Sequence, residues 1–271
     1  MRGRPCWAGT ISKAFGSPPT RWRVTDMAAT QADIVVDGAS VSYRRFSRRR
    51  RVLSEIDFVA RSGEITAIVG PNGAGKTTLF RVLLGFLPVD AGKCLIGGLP
   101  PMEYRQRKGI AYQPETIDFP GLWNARDVLG RGVDLSGIST DDRHGAFRKA
   151  ISRTRFDDAT LLRPARRYSK GMKRRLSLAY ALIGEPTVVL LDEPFAGLDP
   201  PARHALRAEI IGARNRGATV VLASHELGEV ERLANRAFVL EDGTIRPGPV
   251  LSPGDAPADT ILEAEFTGAG E

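Results

Sequence analysis

The nine residues 70–78, GPNGAGKTT, constrain the fold of this chain more than any other segment. They join the apolar run EITAIVG to the amphipathic segment TTLFRVLLGFL, so a glycine-rich turn connects a predicted buried strand to a predicted helix. Such a turn directs backbone N–H groups and the partial positive charge of a helix N-terminus at phosphate oxygens. A purely structural tight turn is the alternative, but the strand, the spacing, the lysine and the threonine together favour a triphosphate-binding loop.

Individual positions of this loop have expected tasks. The glycines allow the backbone to approach the phosphates closely. Lys76 is expected to reach the β- and γ-phosphates, the Thr77 hydroxyl to bind Mg²⁺, and Thr78 to help hold the α-phosphate. The sequence therefore predicts a site for ATP and Mg²⁺ built from Gly70, Pro71, Asn72, Gly73, Ala74, Gly75, Lys76, Thr77 and Thr78.

A second candidate site is VVLLDEP, residues 188–194, where Asp192 and Glu193 end a predicted buried strand. One carboxylate there can hold Mg²⁺ through water, and the other can polarise a water for in-line attack on the γ-phosphate. An acidic strand cap before Pro194 is the structural alternative. Because the same chain carries a phosphate-binding loop, we expect Asp192 to bind the metal and Glu193 to be catalytic.

The order of the apolar runs predicts an α/β fold. TVVLLD (187–192) and ATVVLAS (218–224) are near-continuous apolar runs, typical of strands buried on both faces, and helical segments separate them. Segments 33–43, 53–60 and 237–248 alternate in polarity or carry an Asp-Gly turn, which predicts antiparallel strands at an edge. The expected architecture is a P-loop NTPase core with a mostly parallel sheet, an antiparallel β edge subdomain and a helical insertion after residue 114.

Composition narrows the possible partners. Lys and Arg (39) outnumber Asp and Glu (31), and the net charge of +8 is consistent with nucleic acid, an anionic membrane surface or a phosphate-bearing ligand. No window approaches the roughly 18 consecutive apolar residues of a transmembrane helix. Work at a membrane would therefore need another chain to span it. Cys6 and Cys94 lie far apart and outside any metal-type spacing, which favours a reducing compartment.

The two ends of the chain differ from its centre. Residues 1–27 contain prolines, glycines and arginines without periodicity and predict a flexible extension, so Met27 is a second candidate start that the intact mass of the native protein would test. Residues 28–250 are expected to form the ATPase domain. Residues 251–271, rich in Pro, Gly, Ala and acids, are expected to form a tail.

With four shorter motifs, these features resemble the nucleotide-binding subunit of an ABC transporter from about residue 34 to residue 248. Gln113 in AYQPE matches the glutamine loop, and YSKGM (168–172) matches the signature segment. Asp199 in AGLD matches the D-loop, and His225 in ASHE matches the switch histidine. No single one of the four is specific, but their joint order and spacing suit the family. The resemblance implies a helical signature subdomain at about residues 114–184.

The resemblance also implies a mechanism. Two such subunits pair head to tail, and each ATP lies between the phosphate loop of one subunit and the signature segment of the other. Gln113 would sense Mg²⁺ and the attacking water and face the membrane partner, His225 would contact the γ-phosphate, and Asp199 would link the two sites. Taken alone, Gln113 could be an ordinary loop residue, His225 a polar residue at a strand end, and Asp199 part of an Asp-Pro turn. The signature residues expected to contact the opposite ATP are Ser169, Lys170, Gly171 and Met172.

This signature segment departs from the commoner pattern, because Lys170 replaces a glycine and Met172 replaces a glutamine. We expect Lys170 to add positive charge near the phosphate across the interface. The basic residues after Met172 are expected to face solvent or the partner subunit, because other residues of the same helix form its buried apolar face. That predicted buried face consists of Leu176, Ala179, Tyr180 and Ile183.

Tyr43 resembles the aromatic residue that stacks on adenine in this family, because it ends an early predicted strand upstream of the phosphate loop. Phe46 is a nearby competitor, and a packing role is the alternative for both residues. The arginines that follow Tyr43 predict a solvated basic loop, with nucleotide phosphates or acidic lipid heads as alternative partners. They are Arg44, Arg45, Arg48, Arg49, Arg50 and Arg51.

The signature segment and the terminal ILEAEFTG resemble ATPases of two-component exporters. This resemblance favours export over import, through a separate integral membrane permease and a second ATP-binding subunit, identical or paralogous, at the cytoplasmic face of the membrane. A soluble ABC-type ATPase acting on nucleic acid or ribosomes is the alternative. Such proteins need a long coiled-coil insertion or two ATPase units, so we expect no specific nucleic acid partner. A small-molecule kinase would leave the signature, D-loop and histidine unexplained.

Overall fold

A computed structural model describes residues 34–45 and 48–251. It contains a three-stranded sheet of order β2-β1-β4 and a six-stranded sheet of order β5-β6-β7-β3-β8-β9. The strands are β1 (Ile34–Arg45), β2 (Arg48–Ala60), β3 (Ile65–Val69), β4 (Ala91–Ile96), β5 (Ala111–Gln113), β6 (Val188–Asp192), β7 (Thr219–Ser224), β8 (Arg236–Glu241) and β9 (Thr244–Val250). The helices are α1 (Lys76–Leu83), α2 (Pro101–Lys108), α3 (Ala125–Leu135), α4 (Arg143–Thr154), α5 (Asp158–Leu162), α6 (Lys170–Ala181), α7 (Pro200–Asn215) and α8 (Leu227–Leu233).

The centre of the six-stranded sheet confirms the predicted α/β fold. Every residue of β3, β6 and β7 is buried, as expected for strands covered on both faces, and the three strands are parallel. In their register, Val69 pairs with Ser224 and Asp192 pairs with Ala223. The segments that leave these strands therefore emerge at one edge of the sheet, where ligands of open α/β sheets bind.

The outer strands differ from the prediction in part. Strands β1 and β2 form the expected antiparallel ribbon, to which β4 adds an unpredicted third strand with an exposed first half. By contrast, β8 lies in the main sheet parallel to β3, and only β9 is antiparallel at the edge. The reason is that α8 carries the chain over from β7, and such a crossover brings the next strand back in the parallel direction.

Residues 125–181 contain helices and no strands. Helix α3 begins with a capping box, in which Asn124 and Asp127 exchange side-chain to backbone hydrogen bonds. Its buried face packs with α4, α5 and α6 in a hydrophobic cluster separate from those on the two faces of the main sheet. Tyr180 corrects the predicted buried face of α6, because 40% of it is exposed, whereas Leu176 and Ala179 are buried.

Several predictions concern the ends of the chain and the arginine run. Residues 1–27, Phe46 and all of the predicted tail after residue 251 lie outside the described residues. The second half of the arginine run opens β2 instead of forming a loop, and Arg49 pairs with Asp90. Cys94 is a buried free thiol, and burial raises its pKa to about 12. Within residues 34–45 and 48–251, no helix combines the length and apolar character needed to cross a membrane.

Candidate nucleotide site

The phosphate-binding loop follows β3 and ends at Gly75, which precedes the first residue of α1. A side chain at Gly70 would place its Cβ 2.1 Å from the carbonyl oxygen of Leu240, so the loop leaves the sheet by a path open only to glycine. Gly75 has a φ of +116°, in the left-handed region, and a Cβ there would approach Leu53 Cδ2 to 2.8 Å. These two glycines therefore fix how the backbone reaches the start of α1.

Lys76 is the first residue of α1, and only 6% of it is exposed. Its Nζ donates to the carbonyl oxygen of Gly70 at 2.7 Å and to that of Pro71 at 3.4 Å. It also lies 3.1 Å from Oε1 of Glu193. The amine thus sits inside the curve of the loop, beside the acidic residue that ends β6.

Glu193 joins three motifs that are distant in sequence. Its Oε1 lies 3.1 Å from Lys76 Nζ and 3.0 Å from His225 Nδ1, and no hydrogen bond of good geometry reaches that oxygen. The backbone N–H of His225 donates to Oε2 at 3.4 Å. The φ of Glu193 is +47°, and its N–H donates to Ala223 at 2.9 Å. Neighbouring strands therefore hold this residue in a left-handed conformation that costs energy, as is common at functional sites.

Asp192 and Thr77 form the candidate metal site. The Thr77 hydroxyl donates to Oδ2 of Asp192 at 3.2 Å. Burial raises the pKa of Asp192 to about 6; the Thr77 hydrogen bond opposes this rise and the charge of Glu193 adds to it. A hydroxyl and a desolvated carboxylate are the hard oxygen ligands that Mg²⁺ prefers. Among the described residues no cluster of three acidic, histidine or cysteine side chains could cage a metal, so Mg²⁺ would depend on phosphate and water for its other ligands.

A cleft of about 270 Å³ lies between the loop and the end of β6. Val52 and Glu115 also line it, and the sequence analysis missed both. Nothing in the sequence marks the apolar Val52 as a site residue. Glu115 is a charged residue two positions after Gln113, and this proximity could have predicted its place in the cleft. A wider groove of about 850 Å³ on the three-stranded sheet has charges that pair with one another, Arg49 with Asp90 and Lys93 with Asp37. The cleft is lined by Val52, Pro71, Asn72, Gly73, Gly75, Lys76, Thr77, Thr78, Glu115, Asp192 and Glu193.

Gln113 and Tyr43 do not line this cleft. Gln113 is fully buried at the end of β5, and its Nε2 donates to the carbonyl oxygen of Arg174 at 2.9 Å, while its Oε1 has no partner. The hydroxyl of Tyr43 accepts a hydrogen bond from Nη1 of Arg81 at 3.2 Å. Gln113, the predicted Mg²⁺-sensing residue, is therefore hydrogen-bonded to the signature helix α6. Tyr43, the predicted adenine-stacking residue, is hydrogen-bonded to Arg81 of α1.

The signature segment forms the start of α6, beside the D-loop of the same chain. Ser169 caps the helix, and its Oγ accepts from the N–H of Met172 at 3.2 Å. The Lys170 side chain lies along Gly197, with Nζ 3.2 Å from the position a Cβ would take there. Gly171 faces Leu198 at a similar Cβ distance of 3.6 Å. None of these residues lines the cleft of its own chain.

Two further side chains complete the description of the predicted site. Met172 Sδ accepts a hydrogen bond from Arg163 Nη2 at 3.3 Å. Asp199 caps α7 and accepts from the N–H of Ala202 at 2.9 Å. Arg174 corrects the expectation that the charges after Met172 cover solvent or the partner, because only 2% of it is exposed and its Nη2 donates to the Glu115 carbonyl oxygen at 3.0 Å. The second turn of α6, which begins at Arg174, thus reaches into the protein interior.

Comparison with known proteins matches residues 53–196 to the family described as ABC transporter. An uncharacterized ABC transporter ATP-binding protein of Rhizobium meliloti is 36% identical over 234 residues, 82% of this chain and 82% of that protein. The Nod factor export ATP-binding protein I of Rhizobium etli is 37% identical over 196 residues. That match covers 72% of this chain but 62% of the relative, so the chain spans less than two thirds of its length.

Solved structures agree with these matches. The structure of an ATP binding subunit of an ABC transporter superposes with a TM-score of 0.71 at 29% identity, covering 80% of this chain and 90% of that chain. A dimeric bacterial ABC transporter cassette superposes with a TM-score of 0.72 at 19% identity, covering 81% and 99%, and shows the fold alone. The chain therefore belongs to the ABC transporter family, as an ATP-binding subunit with ATPase activity.

Proposed function

We propose that this chain hydrolyses ATP with Glu193 as the catalytic base, at a site completed by a second ATP-binding subunit, and thereby drives export through a separate membrane permease. The observation that carries the proposal is the meeting of Lys76, Glu193 and His225 at one carboxylate oxygen, with distances of 3.1 and 3.0 Å. The convergence of a phosphate-loop lysine, an acidic strand end and a histidine from the neighbouring strand supports a site that handles a γ-phosphate and the water that attacks it.

Each of these side chains has a defined task in the proposed reaction. Lys76 leaves the loop carbonyls to hold the β- and γ-phosphates, and Glu193 then accepts a proton from the attacking water. His225, which lies against the same carboxylate, keeps Glu193 in position and contacts the γ-phosphate. Thr77 and Asp192 hold Mg²⁺, which when bound neutralises charge on the phosphate oxygens. The remaining contacts come from the backbone N–H groups of residues 70–78 other than Pro71, which has no N–H.

The second subunit supplies the other half of each site. Ser169, Lys170, Gly171 and Met172 stand at the N-terminus of α6, where the helix dipole favours a phosphate, and they do not line the cleft of their own chain. A head-to-tail dimer would bring them to the cleft of the partner. A structural relative described as a dimeric ABC transporter cassette supports the pairing of two such subunits.

The transport direction and location are supported by the relatives. The Nod factor export ATP-binding protein I is an exporter component by name, and cbiO1 from Clostridium perfringens, at 26% identity, is described as part of the ABC transporter complex cbiONQ. We infer an integral membrane permease as partner and a peripheral position on the cytoplasmic face of the membrane. The comparisons give no support to a soluble ATPase that acts on nucleic acid or ribosomes.

Replacing Glu193 by glutamine tests the proposed function. We expect Glu193→Gln to lower steady-state hydrolysis at least about 100-fold, to leave the ATP dissociation constant within about threefold of wild type, and to accumulate an ATP-bound dimer, because the base is lost while the phosphate contacts remain. Glu64→Gln is the matched control, since this partly buried carboxylate pairs with Arg236 away from the cleft. Undiminished hydrolysis by Glu193→Gln would reject the assignment.

A further inference from the structure

Arg203, on the first turn of α7, bridges two segments that flank the candidate site. Its Nε donates to the carbonyl oxygen of Leu198 at 3.0 Å. Its Nη1 pairs with Oε2 of Glu226 and lies 3.5 Å from Oε1 of Glu229. Leu198 directly precedes Asp199, and Glu226 directly follows His225. One guanidinium therefore joins the D-loop to the switch-histidine segment.

Apolar packing also joins the two segments, because Leu198 shares a hydrophobic cluster with Leu227 and Val230 of α8. The N–H of Glu226 donates to Ser224 Oγ at 3.0 Å, a contact within its own turn. On its other side, the D-loop contacts the start of the signature helix. There the side chain of Lys170 lies against Gly197, and Gly171 lies beside Leu198. Residues 197–199 thus lie between the start of α6 and the segment that carries His225, and Arg203 makes the polar contact to the second of these.

We propose that Arg203 is a positioning residue, which fixes the D-loop relative to His225 so that a change at the subunit interface reaches the catalytic histidine. The proposal rests on the proposed function, because it assigns Asp199 to the interface and His225 to the γ-phosphate. A guanidinium suits the role, since its rigid fork holds a carbonyl and a carboxylate at once, whereas the ammonium of lysine is a single point charge.

The energetics separate this role from simple structural support. The side chains of Arg203 and Glu226 are 26% and 19% exposed, so the loss of hydration on folding offsets part of their attraction and the net contribution of the pair to folding is modest. Losing it should therefore change turnover more than stability. Arg207 offers a matched comparison one turn further along α7, because its Nη1 pairs with Glu229 Oε2 at 2.8 Å and no described contact takes it to Leu198 or Glu226.

The experiment compares Arg203→Met with Arg207→Met in the full chain, by steady-state hydrolysis, ATP binding and thermal unfolding. We expect Arg203→Met to lower kcat about tenfold or more, with the ATP dissociation constant within about twofold and Tm within a few degrees of wild type. Arg207→Met should keep kcat within about twofold of wild type, because Arg207 has no described contact to Leu198 or Glu226, and it should lower Tm, because the buried Glu229 loses a partner. Arg203→Lys should recover only part of kcat, since the fork is lost.

Glu226→Gln provides a second route to the same result. It weakens the bridge from the other end and leaves the Leu198 contact, so it should lower kcat less than Arg203→Met. In the double variant the two losses of kcat should not add, because each single substitution already disrupts the same Arg203–Glu226 contact. If Arg203→Met fails to fold, Glu226→Gln and Arg203→Lys still decide the question through kcat.

Equal kcat losses in Arg203→Met and Arg207→Met would overturn the proposal, as would wild-type kcat in both Arg203→Met and Glu226→Gln. Additive losses in the double variant would also overturn it. Glu193→Gln, measured alongside, separates this outcome from failure of the proposed function. If Glu193→Gln abolishes hydrolysis while Arg203→Met leaves it intact, only the positioning role is wrong. If Glu193→Gln hydrolyses ATP normally, the assignment of the site itself is wrong.

Discussion

The side chain of Gln113 and the backbone of Arg174 are joined by a hydrogen bond of 2.9 Å, and the side chain of Arg174 returns one of 3.0 Å to the backbone of Glu115. The end of β5 and the segment after it are thus linked in both directions to Arg174, in the second turn of α6. Because Glu115 lines the nucleotide cleft, a shift of the signature helix also moves one wall of the cleft. The bond to Arg174 uses the Nε2 of Gln113 and leaves its Oε1 without a hydrogen-bond partner, but the residue does not line the cleft.

This contact predicts that Gln113→Met separates stability from activity. Methionine keeps the volume of the buried side chain, loses one hydrogen bond, and removes the buried Oε1 that has no partner, so the free energy of unfolding should change by about 1 kcal/mol or less. Hydrolysis should fall about tenfold or more if the amide acts during turnover. Gln106→Met, at an exposed position of α2, is the control. Wild-type kcat in Gln113→Met would contradict a catalytic role.

The raised pKa of Asp192 predicts how stability varies with pH in the nucleotide-free protein. The folded state keeps the Asp192 proton up to about pH 6, whereas the unfolded state loses it near 3.8, so the folded state binds more protons between these values. Stability present at low pH is therefore lost as pH rises through about 6, by up to about 3 kcal/mol. Denaturant unfolding of wild type and Asp192→Asn should show this difference, and parallel pH profiles would contradict it.

The same group predicts the pH dependence of metal binding. Only the ionised carboxylate binds Mg²⁺ well, so protonation of Asp192 below about pH 6 should lower the affinity of the site for Mg²⁺. Titration of Mg²⁺ into the ATP-bound Glu193→Gln variant, in which slow hydrolysis is expected to preserve the nucleotide, should give an affinity that falls as the pH is lowered below about 6. In the same background, Asp192→Asn should bind Mg²⁺ weakly at every pH, and an unchanged affinity would exclude Asp192 as a ligand.

The close approach at Gly70 predicts a large difference between two glycines of one loop. Gly70→Ala would press a methyl group against the Leu240 carbonyl oxygen, at a cost of about 3 kcal/mol. Gly73→Ala meets no atom within 4 Å and suffers only the left-handed φ of +86°, a cost of about 1 kcal/mol. Urea unfolding without nucleotide measures both, and equal midpoints would show that the loop can leave the sheet by another path.

Tyr43 is predicted to act through its ring. Its hydroxyl accepts a bond from the exposed Arg81, which contributes little, so Tyr43→Phe should keep the ATP dissociation constant within about twofold. Tyr43→Ala should weaken ATP binding about tenfold if the ring stacks on adenine. Isothermal titration of ATP into both variants provides the measurement. Equal affinities in Tyr43→Ala and Tyr43→Phe would assign the residue to packing instead.

Much of the fold was predictable because its signals are local. The buried strands β3, β6 and β7 are continuous apolar runs, and the phosphate-binding loop has a fixed spacing between a strand and a helix. Strands β4 and β5 escaped prediction, since one is half exposed and the other is three residues long. The direction of β8 also escaped, because its alternating pattern fits either direction and the crossover through α8 decides between them.

The sequence by itself determined the α/β class, the phosphate-binding loop and the acidic pair at the end of β6, since spacing along the chain is enough to define each. Only the tertiary structure decided which side chains touch. It placed Glu193 between Lys76 and His225, turned Gln113 toward Arg174 and laid Lys170 on Gly197. Most of these partners lie tens of residues or more apart, so the register of parallel strands and the packing of α6 bring them together, and no local pattern encodes either.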